Sequence, residues 1–228
     1  MESKKVAFYT LGCKLNFSES STLLREFSNR GYQKVEQNQD ADVYVINTCS
    51  VTSMADKKSR YAIRNAIKFN EEATIIVIGC YSQLKPDEIA EIEGVDLILG
   101  TKDKFKIFEY LDKIEKGKTI VQPCEINLVE NFESAYSSDE RTRSFLKVQD
   151  GCDYKCAYCT IPLARGKSRN SSVQKIYEQA LEIENAGFKE IVITGVNIGD
   201  FGKSTGENFY QLLQKLEELK KIKRIRIS

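Results

Sequence analysis

The 228-residue sequence predicts two α/β units in tandem, each built on a parallel sheet. Short, near-continuous apolar runs alternate with amphipathic stretches from Lys4 to about Val121, and the same rhythm returns from Ser144 onward. Strands that are apolar on both faces and separated by helices belong in parallel sheets covered on both sides. Between the two series, residues from about Gln122 to Thr142 lose the rhythm and carry Pro123, Ser137, Ser138 and mixed charges, the composition of a linker. The expected division is a first domain over 1–122, a linker over 123–143 and a second domain over 144–228.

In the first series, Val6–Thr10 reads as a strand, followed by a helix from about Ser18 to Asn29 that Gly31 ends. Asp42–Ile46 is the second strand, and a helix near Ala55–Phe69 follows it. Thr74–Ile78 is the third strand, after which Pro86 opens a short helix at its first turn. Val95–Leu99, a helix over Lys104–Lys116 stopped by Gly117, and a strand at Thr119–Val121 complete a doubly wound, flavodoxin-like pattern. In the second series, Ser144–Val148 is a strand, Ser172–Ala186 a helix, Ile191–Thr194 a strand, Asn208–Lys221 a helix and Arg224–Ile227 a strand. Three strands and two helices make only the first half of a β/α barrel, so the sequence is expected to be a truncated piece of a longer protein.

Composition narrows the chemistry. Hydrophobic content of 41% with 29% charge suits a globular domain. No apolar run approaches the ~18 residues of a membrane helix, and the N-terminus lacks a signal-peptide core, so no membrane partner and a cytoplasmic location are expected. A net charge of +1 gives no global attraction to nucleic acid, which leaves local patches to provide any such contact. There is no histidine, which removes the commonest general base and the commonest partner of cysteine in zinc sites. Seven cysteines remain, an odd number, and a reducing compartment turns the reading from disulfides towards metal or redox chemistry.

Six of the seven fall into two sets. Cys152-Asp-Tyr-Lys-Cys156-Ala-Tyr-Cys159 places three thiols within eight residues, directly after a strand. A compact loop of this kind satisfies three of the four irons of a cubane cluster, which normally takes four cysteines. Zinc is the competing reading, but structural zinc wants four ligands, usually as two close pairs. Cys13, Cys49 and Cys80 are 36 and 31 residues apart, and each follows one of the first three predicted strands. Parallel strands end on one edge of a sheet, where open α/β sheets bind ligands, so the three would converge there; packing as small buried residues is the alternative. Cys124 lies in the linker and belongs to neither set.

The second motif, with Tyr158 just before its last cysteine, resembles the signature of radical S-adenosylmethionine enzymes. The resemblance implies a [4Fe–4S] cluster on Cys152, Cys156 and Cys159 whose open iron binds S-adenosylmethionine. It also implies a cofactor-binding role for Tyr158 and for Thr194, Gly195 and Asn197 after the second strand. The segments Thr10-Leu-Gly-Cys13-Lys-Leu-Asn16, Asn47-Thr-Cys49-Ser-Val-Thr52 and Gly79-Cys80 resemble the N-terminal domain of methylthiotransferases, in which three such cysteines hold a second [4Fe–4S] cluster. Within that family, Leu11–Asn16 and the segment around Cys49 look most like bacterial enzymes acting on N6-threonylcarbamoyladenosine in tRNA. The implied reaction inserts a methylthio group at C2 of that nucleoside, beside the anticodon at position 37. The implied partners are tRNA, an electron donor such as flavodoxin or ferredoxin, and a sulfur source. A small C-terminal nucleic-acid-binding domain and the rest of the barrel would lie outside this sequence. Isopentenyladenosine tRNA or a ribosomal protein are the alternative substrates, and a non-enzymatic iron–sulfur or zinc module is the alternative class.

Two basic segments stand beside these motifs. Arg165, Lys167 and Arg169 follow the radical loop and are candidates for guiding an RNA backbone into the barrel mouth. Lys57, Arg60, Arg64 and Lys68 form a helical stripe opposite Ala62 and Ala66, which reads first as a solvated face. Arg224 and Arg226 alternate with Ile225 and Ile227, and inside a barrel they would need anionic partners.

Overall fold

The computed structural model describes residues 3–138 and 142–228. Its first sheet consists of β1 (Lys5–Thr10), β2 (Gln33–Val35), β3 (Val43–Thr48), β4 (Thr74–Gly79), β5 (Leu97–Leu99) and β6 (Ile120–Gln122). All six are parallel, in the order β2-β1-β3-β4-β5-β6, the doubly wound flavodoxin-like arrangement with one strand added. The connecting helices are α1 (Lys14–Asn29), α2 (Ser53–Phe69), α3 (Cys80–Leu84), α4 (Pro86–Ala90) and α5 (Ile107–Leu111).

The near-continuous apolar strands serve both faces because successive side chains alternate. Tyr44, Ile46, Ile75 and Val77 pack with Ile63 and Ala66 of α2. Val43, Val45, Ile76 and Ile78 pack with Leu23 and Phe27 of α1 and Ile107 of α5. Phe27 is fully buried, with its ring centroid 5.8 Å from that of Phe8 and 4.6 Å from that of Phe108. Burying one such side chain contributes about 1.5–3 kcal/mol.

The second sheet has the order β12-β11-β8-β7, with β7 (Ala135–Tyr136) antiparallel to β8 (Arg143–Lys147), and β11 (Glu190–Thr194) and β12 (Arg224–Ile227) parallel to it. A short antiparallel pair, β9 (Gln149–Asp150) and β10 (Arg169–Asn170), brackets the second cysteine loop and α6 (Ile161–Arg165). Helices α7 (Val173–Asn185) and α8 (Phe209–Leu216) cover one face, where Ile176, Ala180, Leu212 and Leu216 meet Leu146, Val148, Ile191 and Ile193. The other face looks at α1. Phe145 meets Phe17 edge-on at 5.7 Å, Ser18 donates to the Phe145 carbonyl at 3.0 Å, and the Lys14 ammonium reaches the Ser228 hydroxyl.

The elements differ from the sequence expectation where tertiary partners intervene. Helix α1 begins at Lys14, four residues early, because Cys13 sits extended at its N-cap. Strand β2 carries the polar pair Gln33-Lys34 and, among the described residues, pairs with β1 alone, so it has no apolar signature. The helix expected over 104–116 shrinks to α5, as Lys104 is drawn into a buried ion pair instead. The helix expected over 208–221 ends at Leu216; the N–H groups of Lys221 and Ile222 donate to the Glu184 carboxylate rather than to helix carbonyls. The segment read as linker contains a 3₁₀ turn at Ile126–Leu128 and β7. Arg224 and Arg226 find their anionic partner in Glu190 across the β11–β12 pair, at 3.4 and 3.5 Å, with both guanidinium groups still largely exposed.

Candidate functional site

Strands β1, β3 and β4 are neighbours, so their carboxyl ends bring Cys13, Cys49 and Cys80 to one edge of the first sheet. Cys13 is exposed, Cys49 half-buried, and Cys80 buried as the first residue of α3. Gly12, at φ +98°, lets the Cys13 loop run against Cys49; a Cβ built there would stand 2.9 Å from the Cys49 Cβ and 3.0 Å from its Sγ. Asn16, one turn into α1, holds both loops, since its amide donates to the Leu11 carbonyl at 2.8 Å and to the Thr48 carbonyl at 3.0 Å. Burial raises the Cys80 thiol above its ordinary value, an effect the nearby cations Arg165 and Lys104 offset only in part.

Cys152, Cys156 and Cys159 lie on the loop between β9 and α6. Gly151, at φ +70°, makes the turn possible: a Cβ there would fall 2.0 Å from the Lys167 carbonyl oxygen. The Cys152 N–H then donates to the Gly166 carbonyl at 3.0 Å. Gln149 ties this loop to the turn after β11. Its amide donates to the carbonyls of Asp150 and Gly151, and its own carbonyl oxygen accepts the Asn197 N–H at 2.8 Å. Cys156 and Cys159 are exposed, Cys152 is half-buried, and Tyr158 is fully exposed.

A buried ionic cluster joins the two cysteine edges. Glu19 of α1 accepts from Lys104 at 2.7 Å, Lys147 at 2.9 Å and Arg165 at 3.1 Å. Asp150 pairs with Lys147 at 2.8 Å, Arg165 at 2.9 Å and Arg169 at 3.2 Å. Arg165 also donates to the Asn16 Oδ1 at 2.5 Å, so one guanidinium on α6 touches the residue that holds the Cys13 and Cys49 loops. Burial pushes Glu19 and Asp150 up, but their cationic neighbours outweigh it and hold both carboxyls well below the usual range. Burial, with Arg165 and Lys147 beside it, brings Lys104 down to about 8 despite Glu19.

The structure brings Cys13, Cys49 and Cys80 to one sheet edge, keeps Cys152, Cys156 and Cys159 on one loop, and leaves Cys124 outside both sets; Cys124 donates to Gln83 at 3.0 Å. Thr194 is buried, its carbonyl accepting the Val148 N–H at 2.9 Å, and Gly195 packs against Gln149, 3.1 Å from where a Cβ would sit. The expectation for Arg165 and Arg169 needs correction. Both are buried, at 1% and 6% exposure, and spent on Glu19, Asp150 and backbone carbonyls, so only Lys167 of that trio faces solvent. Sequence reasoning missed Gln149, Asp150, Glu19 and Lys104. The one available signal was an acid facing inward among the apolar positions of α1.

The donor sets suit a cubane better than a single ion. Each set offers three thiols on a chain without histidine, which matches three corners of a cubane, whereas structural zinc takes four ligands.

Residues 5–100 match the family described as "Uncharacterized protein family UPF0004", and residues 146–228 match the "Radical SAM superfamily". The chain is 43% identical to threonylcarbamoyladenosine tRNA methylthiotransferase MtaB of Bacillus subtilis, over 98% of its own length and 51% of that protein. It is 40% identical to the protein of the same name from Aquifex aeolicus, over 98% of its own length and 55% of that one. It thus spans about half the length of these curated relatives. The fold resembles that of the radical S-adenosylmethionine methyltransferase TsrM from Kitasatospora setae, solved with cobalamin and a [4Fe–4S] cluster, at TM-score 0.56 and 11% identity over 95% of this chain and 51% of that one.

Proposed function

This chain belongs to the radical S-adenosylmethionine methylthiotransferases, and on that premise we propose that it carries the two cluster-binding domains of a cytoplasmic tRNA methylthiotransferase. In this reading residues 1–122 form the N-terminal domain, 123–143 connect, and 144–228 begin the barrel. The substrate is N6-threonylcarbamoyladenosine at position 37 of tRNA, and C2 receives the methylthio group. The observation that supports this best is the Asn16–Arg165–Glu19 bridge, which ties α6, just after the Cys152–Cys159 loop, to α1, just after Cys13.

Cys152, Cys156 and Cys159 would hold one [4Fe–4S] cluster, and Cys13, Cys49 and Cys80 a second. Held by Cys152, Cys156 and Cys159, the barrel cluster would supply the one-electron reduction by which S-adenosylmethionine is cleaved to a 5′-deoxyadenosyl radical. The chain's own part is positional. Gly151 and Gln149 fix the loop that carries the thiols. Asn197 would meet the cofactor through its side chain, because its N–H is held by Gln149. Thr194 and Gly195 would set the wall beside it, and the solvent-facing ring of Tyr158 would cover it. Lys167 is the member of the basic trio left to meet RNA. Electrons would come from a flavodoxin or ferredoxin, and sulfur from a separate donor.

The test is to count iron, sulfide and zinc per chain after anaerobic reconstitution. About eight irons are expected, two cubanes of four. Replacing Cys152, Cys156 and Cys159 by Ser should remove about four, as should replacing Cys13, Cys49 and Cys80, while Cys124→Ser should remove none. A count near four for the parent would remove the second cluster from the proposal. Stoichiometric zinc with little iron would overturn it.

A further inference from the structure

Helix α2 starts four residues after Cys49 and shows solvent one coherent face. Met54, Lys57, Lys58, Tyr61, Arg64 and Lys68 are all exposed along it, at the spacing of a single helical stripe. Arg60 does not belong to it. Its guanidinium turns aside to the Tyr81 hydroxyl at 2.8 Å and to Glu88 at 3.4 Å. Asp56, the helix's single acid, is turned inward onto Ser50 and Lys85. Among the described residues Lys57, Lys58, Arg64 and Lys68 make no ion pair, so the face carries four uncompensated positive charges on a chain whose net charge is only +1.

Two further features mark this face as more than solvated charge. Tyr61 stands in the middle of the stripe at 68% exposure, with its ring uncovered, which costs hydrophobic free energy unless something stacks on it. At the N-terminal end the stripe runs into a groove of about 300 Å³ lined by Leu11, Gly12, Cys49, Met54 and Lys58, at the lower bound of small-ligand pockets. The distance from Lys57 to Lys68 is about 16 Å at 1.5 Å per residue, long enough to track several phosphates of one strand. Cations flanking an aromatic ring are the elements with which proteins hold single-stranded and loop RNA.

We propose that this face of α2 is where the RNA backbone lies, Lys57, Lys58, Arg64 and Lys68 meeting phosphates and Tyr61 stacking on a base, so that the strand is led towards the groove at Cys49. The proposal rests on the tRNA reading above and adds to it the surface. It is tested by fluorescence anisotropy with a labelled anticodon stem-loop RNA and the 228-residue chain, across a salt series. The probe variant is Lys57→Gln/Lys58→Gln/Arg64→Gln/Lys68→Gln, with Tyr61→Ala made separately. A control removes an equally exposed basic run elsewhere, Lys220→Gln/Lys221→Gln/Lys223→Gln. All substituted side chains are exposed, and matching thermal unfolding curves verify the folds.

The stripe variant should bind about tenfold or more weakly, and its log K against log salt slope should shrink by about three, since each lost phosphate contact removes roughly 0.7–0.9. Tyr61→Ala should weaken binding with the slope unchanged, because stacking releases no counterions. The control should match the parent. If the parent binds and the stripe variant binds equally well, or the control loses as much, the α2 surface is wrong while the tRNA reading stands. If the parent binds no stem-loop even at low salt, the α2 surface falls, while the tRNA reading, which places a nucleic-acid-binding domain outside this sequence, is judged separately by the iron count.

Discussion

Glu19→Gln tests the interdomain cluster most directly. The substitution keeps the side chain's size and removes only the negative charge that Lys104, Lys147 and Arg165 share at 2.7–3.1 Å. Glu19 is fully buried, out of contact with bulk water. The cluster's four cations would then face Asp150 alone. Removing one partner of a buried ionic set costs about 3–5 kcal/mol, against a total stability of about 5–15 kcal/mol for a typical protein. With an m-value of about 1–3 kcal/mol/M, the urea midpoint should fall by one to several molar. The effect has a pH signature. The folded-state carboxyl is held below its ordinary value, so its stabilisation is present above the ordinary carboxylate range and is lost as pH falls through the folded value. The gap between parent and variant should therefore be full at neutral pH and close only in strong acid. Glu19→Gln/Arg165→Met should be less destabilised than the two single losses added together, because the second change removes a cation that the first left unpaired. A loss under about 1 kcal/mol, or strict additivity in the cycle, would refute the claim that this cluster holds the two sheets in register.

Other consequences are simpler. Lys104 titrates near 8 in the fold and near its ordinary 10.5 when unfolded, so over that window the unfolded chain holds the extra proton and stability rises with pH; Lys104→Met should abolish that rise in paired denaturation curves. Gly151→Ala forces a side chain onto the Lys167 carbonyl at a positive φ, so it should cost more than about 1–3 kcal/mol and halve the reconstituted iron while sparing the N-terminal set. Asn208 caps α8 in a reciprocal bond pair with Gln211, and Asn208→Ala should lower unfolding free energy by about 1 kcal/mol with no change in iron.

How far the sequence could be read follows from the range over which each interaction acts. The parallel strands β1, β3 and β4 are legible because their apolar runs are local and continuous. From three such runs the placing of Cys13, Cys49 and Cys80 on one edge is geometry rather than guesswork. Cys152–Cys159 is legible because its spacing is short. Strand β2 is not, because the backbone of β1 rather than any apolar pattern makes it a strand. Nor is the end of α8, where a carboxylate 37 residues away at Glu184 takes the N–H of Lys221. Arg165 and Arg169 mislead for the same reason. A basic run after a cysteine loop reads as surface, and only Glu19, 146 residues upstream of Arg165, reveals that it is interior.

That misreading bears on how the site is built. An apolar interface between two sheets can slide, since dispersion and hydrophobic burial have no direction. A set of six interlocked charges cannot, because a shift of one residue would strand a cation in the interior. The relation between the two cysteine edges is therefore fixed by α6 rather than by either cysteine loop. Arg165 is six residues past Cys159, and it reaches Asn16, three residues past Cys13. Lysine there would keep the charge yet lose the fork that touches Glu19, Asp150 and Asn16 together. Arg165→Lys should thus lower stability by less than Arg165→Met while loosening the Asn16 contact equally, and amide hydrogen exchange over residues 11–17 should quicken in both variants. Unchanged exchange in Arg165→Lys would show that charge alone, without the fork, suffices to hold the two edges together.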